Sequence, residues 1–192
     1  MSNLQNKIKY LAENYFKDTV EIRRHLHAYP ELSFKEYKTS EYIQKQLTSY
    51  GIPFQSGLVE TGVVGFIRGK NPEKKCIALR ADIDALPINE LNHLDYASKN
   101  NGVMHACGHD VHTASLLGVA RILNKLKEEW EGTIKLIFQP GEEKLPGGAS
   151  LMISEGVLEN PKVDKIIGQH VSPELDSGVI GMRSGLFMAS AD

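Results

Sequence analysis

The chain has 192 residues, 41% of them hydrophobic and 24% charged, the balance of an ordinary globular protein with enough apolar side chains to build a core without staples. A net charge of -2 gives no electrostatic footprint for nucleic acid or an anionic membrane, and no apolar run approaches the ~20 residues that cross a bilayer. Two cysteines and no signal-peptide pattern point to a reducing, cytoplasmic setting, where thiols are more often ligands, nucleophiles or core residues than disulfide partners.

In chain order, Leu4, Ile8, Leu11 and Tyr15 recur at helical spacing and predict an amphipathic first helix. It should break before "AYPEL", because Pro30 biases Tyr29 away from the α region. A second helix is predicted within "SFKEYKTSEYIQKQLTSYG", with Gly51 as its stop. Four strand candidates follow, "TGVVGFIRG", "KCIALRADID", "GTIKLIFQPG" and "DKIIGQHV". The last three are short apolar runs of the kind buried on both faces. The helix "VHTASLLGVARILNKLKEEW", with its stripe of Leu116, Leu117, Ala120, Leu123 and Leu126, separates the second candidate from the third. The helix "GASLMISEGVL" separates the third from the fourth. This alternation predicts an α/β fold, a largely parallel mixed sheet flanked by helices.

In open α/β sheets ligands bind beyond the carboxyl ends of the strands. There the sequence places Asp82 and Asp84 after "CIALR", Glu142 and Glu143 after "TIKLIF", and His170 after "DKIIG". "MHACGHDVHT" enters the central helix at the same rim and holds three of the seven histidines and one of the two cysteines. Four segments therefore carry metal-type ligands to one edge. Cys107 and His109 flank Gly108, which permits an unusual backbone angle. A thiolate with an imidazole suits zinc, nickel, cobalt or iron better than magnesium or calcium. Alone, a Cys-x-His is more often a buried thiol beside a helix cap, and a nucleophile–base pair is a third reading that side chains two apart rarely satisfy. Of the adjacent Glu142 and Glu143, whose side chains are expected to diverge, one suits a metal and the other general-base work on water. Asp82 and Asp84 suit orienting an imidazole ligand. His105 and His112 are candidates for that outer layer, and His25 and His27 read as structural.

The stretches "RRHLHAYPELSFKEYKTSEYI", "ALRADIDALPI", "MHACGHDVHTASLLG", "IFQPGEEKLPGGASLMISEGVLE" and "GQHVSPELDSGVIGMRSG" resemble, in order, the motifs of the M20 metallopeptidases. The closer resemblance is to the amidohydrolase branch, with its hippurate hydrolases, N-acetyl-diaminopimelate deacetylases and indole-acetyl-amino-acid hydrolases. The resemblance implies a zinc-peptidase-like catalytic domain and a two-metal centre of Zn, Mn, Ni or Co ligated by Cys107, His109, Glu143 and His170. It implies Glu142 as general base, and one of Asp82 and Asp84 as the residue that orients a ligand. The implied reaction is hydrolysis of an N-acyl amino acid, of N-acetyl or N-benzoyl type, to a carboxylate and a free amino acid.

Members of that family are about twice this length and supply one further histidine ligand from a later segment. The resemblance therefore implies the N-terminal part of the catalytic domain over 1–181 and the start of a lid or dimerisation domain over 182–192. It implies a small-molecule substrate, no nucleic acid or membrane partner, and a homo-oligomer formed through that lid. Two other readings stand beside it: a metal-binding but inactive fragment, and an α/β interaction module with no metal chemistry.

Overall fold

A computed structural model describes residues 3–185. Helix α1 (Asn3–Ala28) and helix α2 (Tyr37–Ser49) precede strands β1 (Phe54–Leu58), β2 (Gly62–Arg68) and β3 (Cys76–Asp82). Helix α3 (His109–Lys125), a 3₁₀ turn (Lys127–Glu129), strand β4 (Thr133–Gln139), helix α4 (Gly148–Ser154) and strand β5 (Lys165–Gly168) complete the order. The lid expected over 182–192 falls for its larger part, 186–192, outside the described residues. No described helix is long and apolar enough to cross a membrane.

The sheet runs β1-β2-β4-β3-β5. β3 is parallel to both β4 and β5, whereas β2 is antiparallel to both β1 and β4. The mixed α/β sheet is as predicted, with its parallel part confined to the three strands that end at the site. Strand β1 has no apolar run to announce it, since three of the residues in "FQSGL" are exposed; its pairing with β2 creates it.

Period-2 alternation sorts the strand side chains onto two faces. Val63, Ile67, Ala81, Leu136 and Phe138 pack with Ile22 and Leu26 of α1, Ile43 and Leu47 of α2, and Leu117 and Ala120 of α3. Val64, Ala78 and Ile137 pack with Met152 of α4 and with Val157 on the other face. A fully buried side chain such as Leu136 or Phe138 contributes ~1.5–3 kcal/mol.

Two expectations need correction. β5 is not buried on both faces: Ile166 is 54% and Ile167 58% exposed, because β5 is an edge strand paired only to β3 and no described element covers it. The second helix begins at Tyr37 rather than near Ser33. Glu31 sets that start: its carboxylate accepts from Lys38 N–H (3.2 Å) and Thr39 N–H (2.8 Å), amides that a helix N-terminus leaves unpaired. The preceding residues, Ser33 to Glu36, are then free to fold towards the site.

Candidate metal centre

Because β3, β4 and β5 are mutually parallel, their carboxyl ends share one edge, with Asp82 opposite Gln139 and Arg80 opposite Gly168. α3 starts at that edge. Its N-cap is Gly108 at φ 86°, and a Cβ there would meet Val171 Cγ2 at 2.4 Å. Glycine is therefore required for the His170 segment to approach the Cys107–His109 turn.

All seven sequence-derived residues gather here, on a buried floor and an open rim. Asp82, Asp84 and His109 are each at most 1% exposed. Cys107 is half-buried, and His170, Glu142 and Glu143 are exposed. Cys107 Sγ lies 3.5 Å from His170 Nε2. His109 Nε2 lies 3.7 Å from Asp82 Oδ2, 3.9 Å from Glu142 Oε2 and 3.7 Å from Glu143 Oε1. The two glutamates thus do not diverge as expected: the loop turns at Gly141, φ 58°, and brings both carboxylates towards one imidazole.

The contacts separate the two aspartates. His109 Nδ1 is 2.9 Å from the Asp84 main-chain oxygen and 3.2 Å from its Oδ1. A carbonyl only accepts, so Nδ1 carries the proton, and Nε2, buried and without a hydrogen-bond partner among the described residues, presents its lone pair to the carboxylates. Asp84 Oδ2 also accepts from Glu143 N–H at 3.0 Å and from the Ser33 hydroxyl at 2.7 Å. Asp82 instead meets His112 Nδ1 at 2.6 Å and Arg80 at 2.7 Å, and His112 Nε2 accepts from Val171 N–H at 3.0 Å. His112 therefore links Asp82 to the backbone beside His170.

The electrostatics are those of a site short of positive charge. Burial, then the neighbouring Glu143, Glu142 and Asp82 carboxylates, push the Cys107 thiol up to about 12. Such a thiol is a poor nucleophile without a cation, and the imidazole it meets is that of His170 rather than His109. Burial and the adjacent Glu143 raise the Glu142 carboxyl. Burial alone would lower His109, but Asp84 and Asp82 reverse the sign and raise it. A buried unpartnered imidazole nitrogen, a thiol and carboxylates aimed at common points are a donor set that fits a divalent cation of borderline softness. Cys107, His109 and His170 can share one ion, as can His109 with both glutamates.

Among the other histidines, His27 is buried and spans Asp110 (2.8 Å) and Glu90 (3.1 Å), tying α1 to α3. His25 stacks on Tyr42. His105 is buried with both ring nitrogens unpartnered among the described residues, and burial lowers it to about 4. The sequence pattern gives no reason to single out Glu36, one of many charged residues in a helical stretch, yet it is fully buried and bonded to the Glu142–Glu143 loop.

Residues 78–185 match the Peptidase family M20/M25/M40. The chain is 45% identical over 188 residues to an N-acyl-L-amino acid amidohydrolase of Geobacillus stearothermophilus, covering 98% of this chain and 50% of that protein. It is 47% identical over 176 residues to an N-acetyl-L-cysteine deacetylase of Bacillus subtilis, covering 92% of this chain and 41% of that protein. Its fold matches that of the Bacillus subtilis YXEP protein, described as a dinuclear metal binding peptidase, with a TM-score of 0.85 and 43% identity over 90% of this chain and 48% of that one. The chain spans about half the length of the curated relatives it matches.

Proposed function

The chain belongs to the peptidase family M20/M25/M40, and from that membership we propose that it carries most of the catalytic metal centre of a hydrolase that cleaves the amide bond of N-acyl amino acids. One observation carries the proposal: the buried, unpartnered Nε2 of His109, oriented by Asp84 and faced by the carboxylates of Asp82, Glu142 and Glu143. The names of the amidohydrolase and deacetylase relatives support the N-acyl amino acid as substrate class.

In this reading Cys107, His109, Glu143 and His170 hold two divalent ions, of Zn, Mn, Ni or Co. Such ions would polarise the amide carbonyl and lower the pKa of water. The chain's own residues do the rest. Asp84 keeps the proton of His109 on Nδ1 and so its lone pair on Nε2. The chain His112–Asp82 steadies the backbone at Val171 beside His170. Glu142, whose carboxyl is raised by burial and by Glu143, takes a proton from the attacking water and returns it to the departing nitrogen. Water and amide become carboxylate and free amine, with Glu142 regenerated.

The test is metal analysis of protein prepared without chelator, joined to release of free amino acid from N-acetyl and N-benzoyl amino acids. Bound metal with hydrolysis supports the proposal, and a metal-free protein unable to take up Zn, Mn, Ni or Co would sink it. A second reading, metal binding without turnover, applies to the 192-residue chain alone. The exposed His170 rim and the open β5 edge favour it, since an unshielded site leaves water unexcluded. A form extended to the length of the relatives distinguishes the two by its kcat/KM.

A further inference from the structure

We propose that Glu36 is a positioning residue for the loop that carries Glu142 and Glu143, acting on the metal centre through the backbone of Gly141; this rests on the site reading above. Glu36 heads α2 and is 0% exposed. Its Oε1 accepts from Gly141 N–H at 2.9 Å and from Phe34 N–H at 2.9 Å, and its Oε2 accepts from the Thr61 hydroxyl at 2.7 Å. None of these partners is charged. Burying a carboxylate is costly unless it is well bonded. Burial pushes the Glu36 carboxyl up while its bonds to Thr61, Gly141 and Phe34 pull it down, so each of the three supports the buried group. The loop is thereby tied to the head of the helix.

The placement of those bonds gives them their consequence. Gly141 immediately precedes Glu142, and Glu143 N–H is held by Asp84, which in turn holds Ser33. The short segment Ser33–Glu36 therefore reaches the loop on both sides of Glu142, through Glu36 on one and through Asp84 on the other. Phe34 takes a left-handed φ of 63°, and the same Oε1 that binds Gly141 holds its N–H. Its ring covers Gly141 so closely that a Cβ there would lie 2.3 Å from Phe34 Cε1. Gly148 N–H closes the loop onto Gly141 O at 2.8 Å. The Glu142 carboxylate, by contrast, meets His109 only at 3.9 Å, beyond hydrogen-bond length. Its aim is thus set by the backbone beneath it, and a shift of ~1 Å in such a group can cost ~100-fold in rate.

The test is a Co²⁺ titration of the 192-residue chain, read by the thiolate-to-cobalt charge-transfer band and by the visible d–d bands, which report geometry. Four proteins are compared with the parent: Glu36→Ala, Glu36→Gln, Glu143→Gln, and Glu36→Ala with Glu143→Gln. Glu36→Ala should weaken Co²⁺ binding ~10-fold or more and alter the d–d bands. Glu36→Gln should bind within ~3-fold of the parent, because its amide oxygen still accepts from Gly141 and Phe34. The double variant should bind no more weakly than Glu143→Gln alone, since Glu36 acts through the loop that presents Glu143.

If Glu143→Gln weakens binding while Glu36→Ala leaves it unchanged, or if the two losses simply add, the role of Glu36 is overturned and the metal centre stands. If Glu143→Gln has no effect, both fall together. Should the alanine variant not fold, Glu36→Asp, too short to reach Gly141, replaces it with the same expected outcomes.

Discussion

Asp84 grips His109 with two oxygens, its main-chain O at 2.9 Å and its Oδ1 at 3.2 Å from Nδ1, and with Oδ2 it holds the amide of Glu143. One residue thus sets both the tautomer of the imidazole and the placement of the acid that faces it. Replacing Asp84 with Ala leaves the main-chain acceptor but frees Glu143. Metal affinity should fall ~10–100-fold, measured by competition against a chromophoric chelator. Affinity within ~2-fold of the parent would show that the main-chain oxygen alone orients the ring.

Glu142 and Glu143 should separate in their effects although they share His109. In the form extended to the relatives' length, Glu142→Gln is expected to lower kcat by ~100-fold or more, in the range of lost general-base catalysis, with metal content near normal. Glu143→Gln should lower metal content as well. Equal metal loss in the two variants, read by elemental analysis, would contradict this division.

Metal uptake should release protons. The Cys107 thiol, pushed up to about 12, is protonated at neutral pH and must ionise to act as a ligand. About one proton should leave with the ion that Cys107 binds, so affinity should rise with pH. Calorimetry in two buffers of different ionisation enthalpy counts them, and identical heats in both would remove Cys107 from the ligand set. Before metal is added, Cys107 should react slowly with iodoacetamide.

Acid stability should depend on Asp82. Burial alone would raise its pKa, but the His112 hydrogen bond and the Arg80 charge outweigh that, and it falls from 3.8 to about 2. A depressed acid contributes stability that is fully present above ~3.8 and is lost as pH falls towards ~2, here on the order of 2 kcal/mol. Metal-free Asp82→Asn should therefore be less stable than the parent at pH 6 and should lose less on acidification from pH 5 to pH 2, read by urea unfolding. Parallel losses in the two proteins would refute the linkage.

Lys135 predicts a purely structural effect. It is 1% exposed, and its ammonium donates to the carbonyls of Val157 (2.9 Å), Glu159 (2.7 Å) and Pro161 (3.0 Å) beyond α4. Lys135→Met would leave those carbonyls without their charged donor, costing ~2–4 kcal/mol. The thermal midpoint should drop by about 10 °C with metal affinity unchanged.

The sequence by itself determined the architecture around the site. Short apolar runs in "KCIALRADID" and "GTIKLIFQPG", period 3.6 in α3 and the placing of acids and histidines after each parallel strand are local regularities, because each is carried by a single stretch of chain. They located Cys107, His109, Glu142, Glu143 and His170 at one edge before any contact was known. Which aspartate orients His109 was not legible, because Asp82 and Asp84 stand two apart in one stretch and differ in the histidine that the fold brings to each, His112 to Asp82 and His109 to Asp84. Glu36 was invisible for the same kind of reason: its partner Gly141 lies 105 residues away, and an acid in a helical stretch reads as solvated until packing seals it. Strand β1, polar and short, exists through its pairing with β2, and β5, apolar in sequence, lies open because burial depends on what covers a strand. Tertiary structure decided these four because hydrogen-bond direction and burial are relations between distant segments, carried by no single stretch of chain.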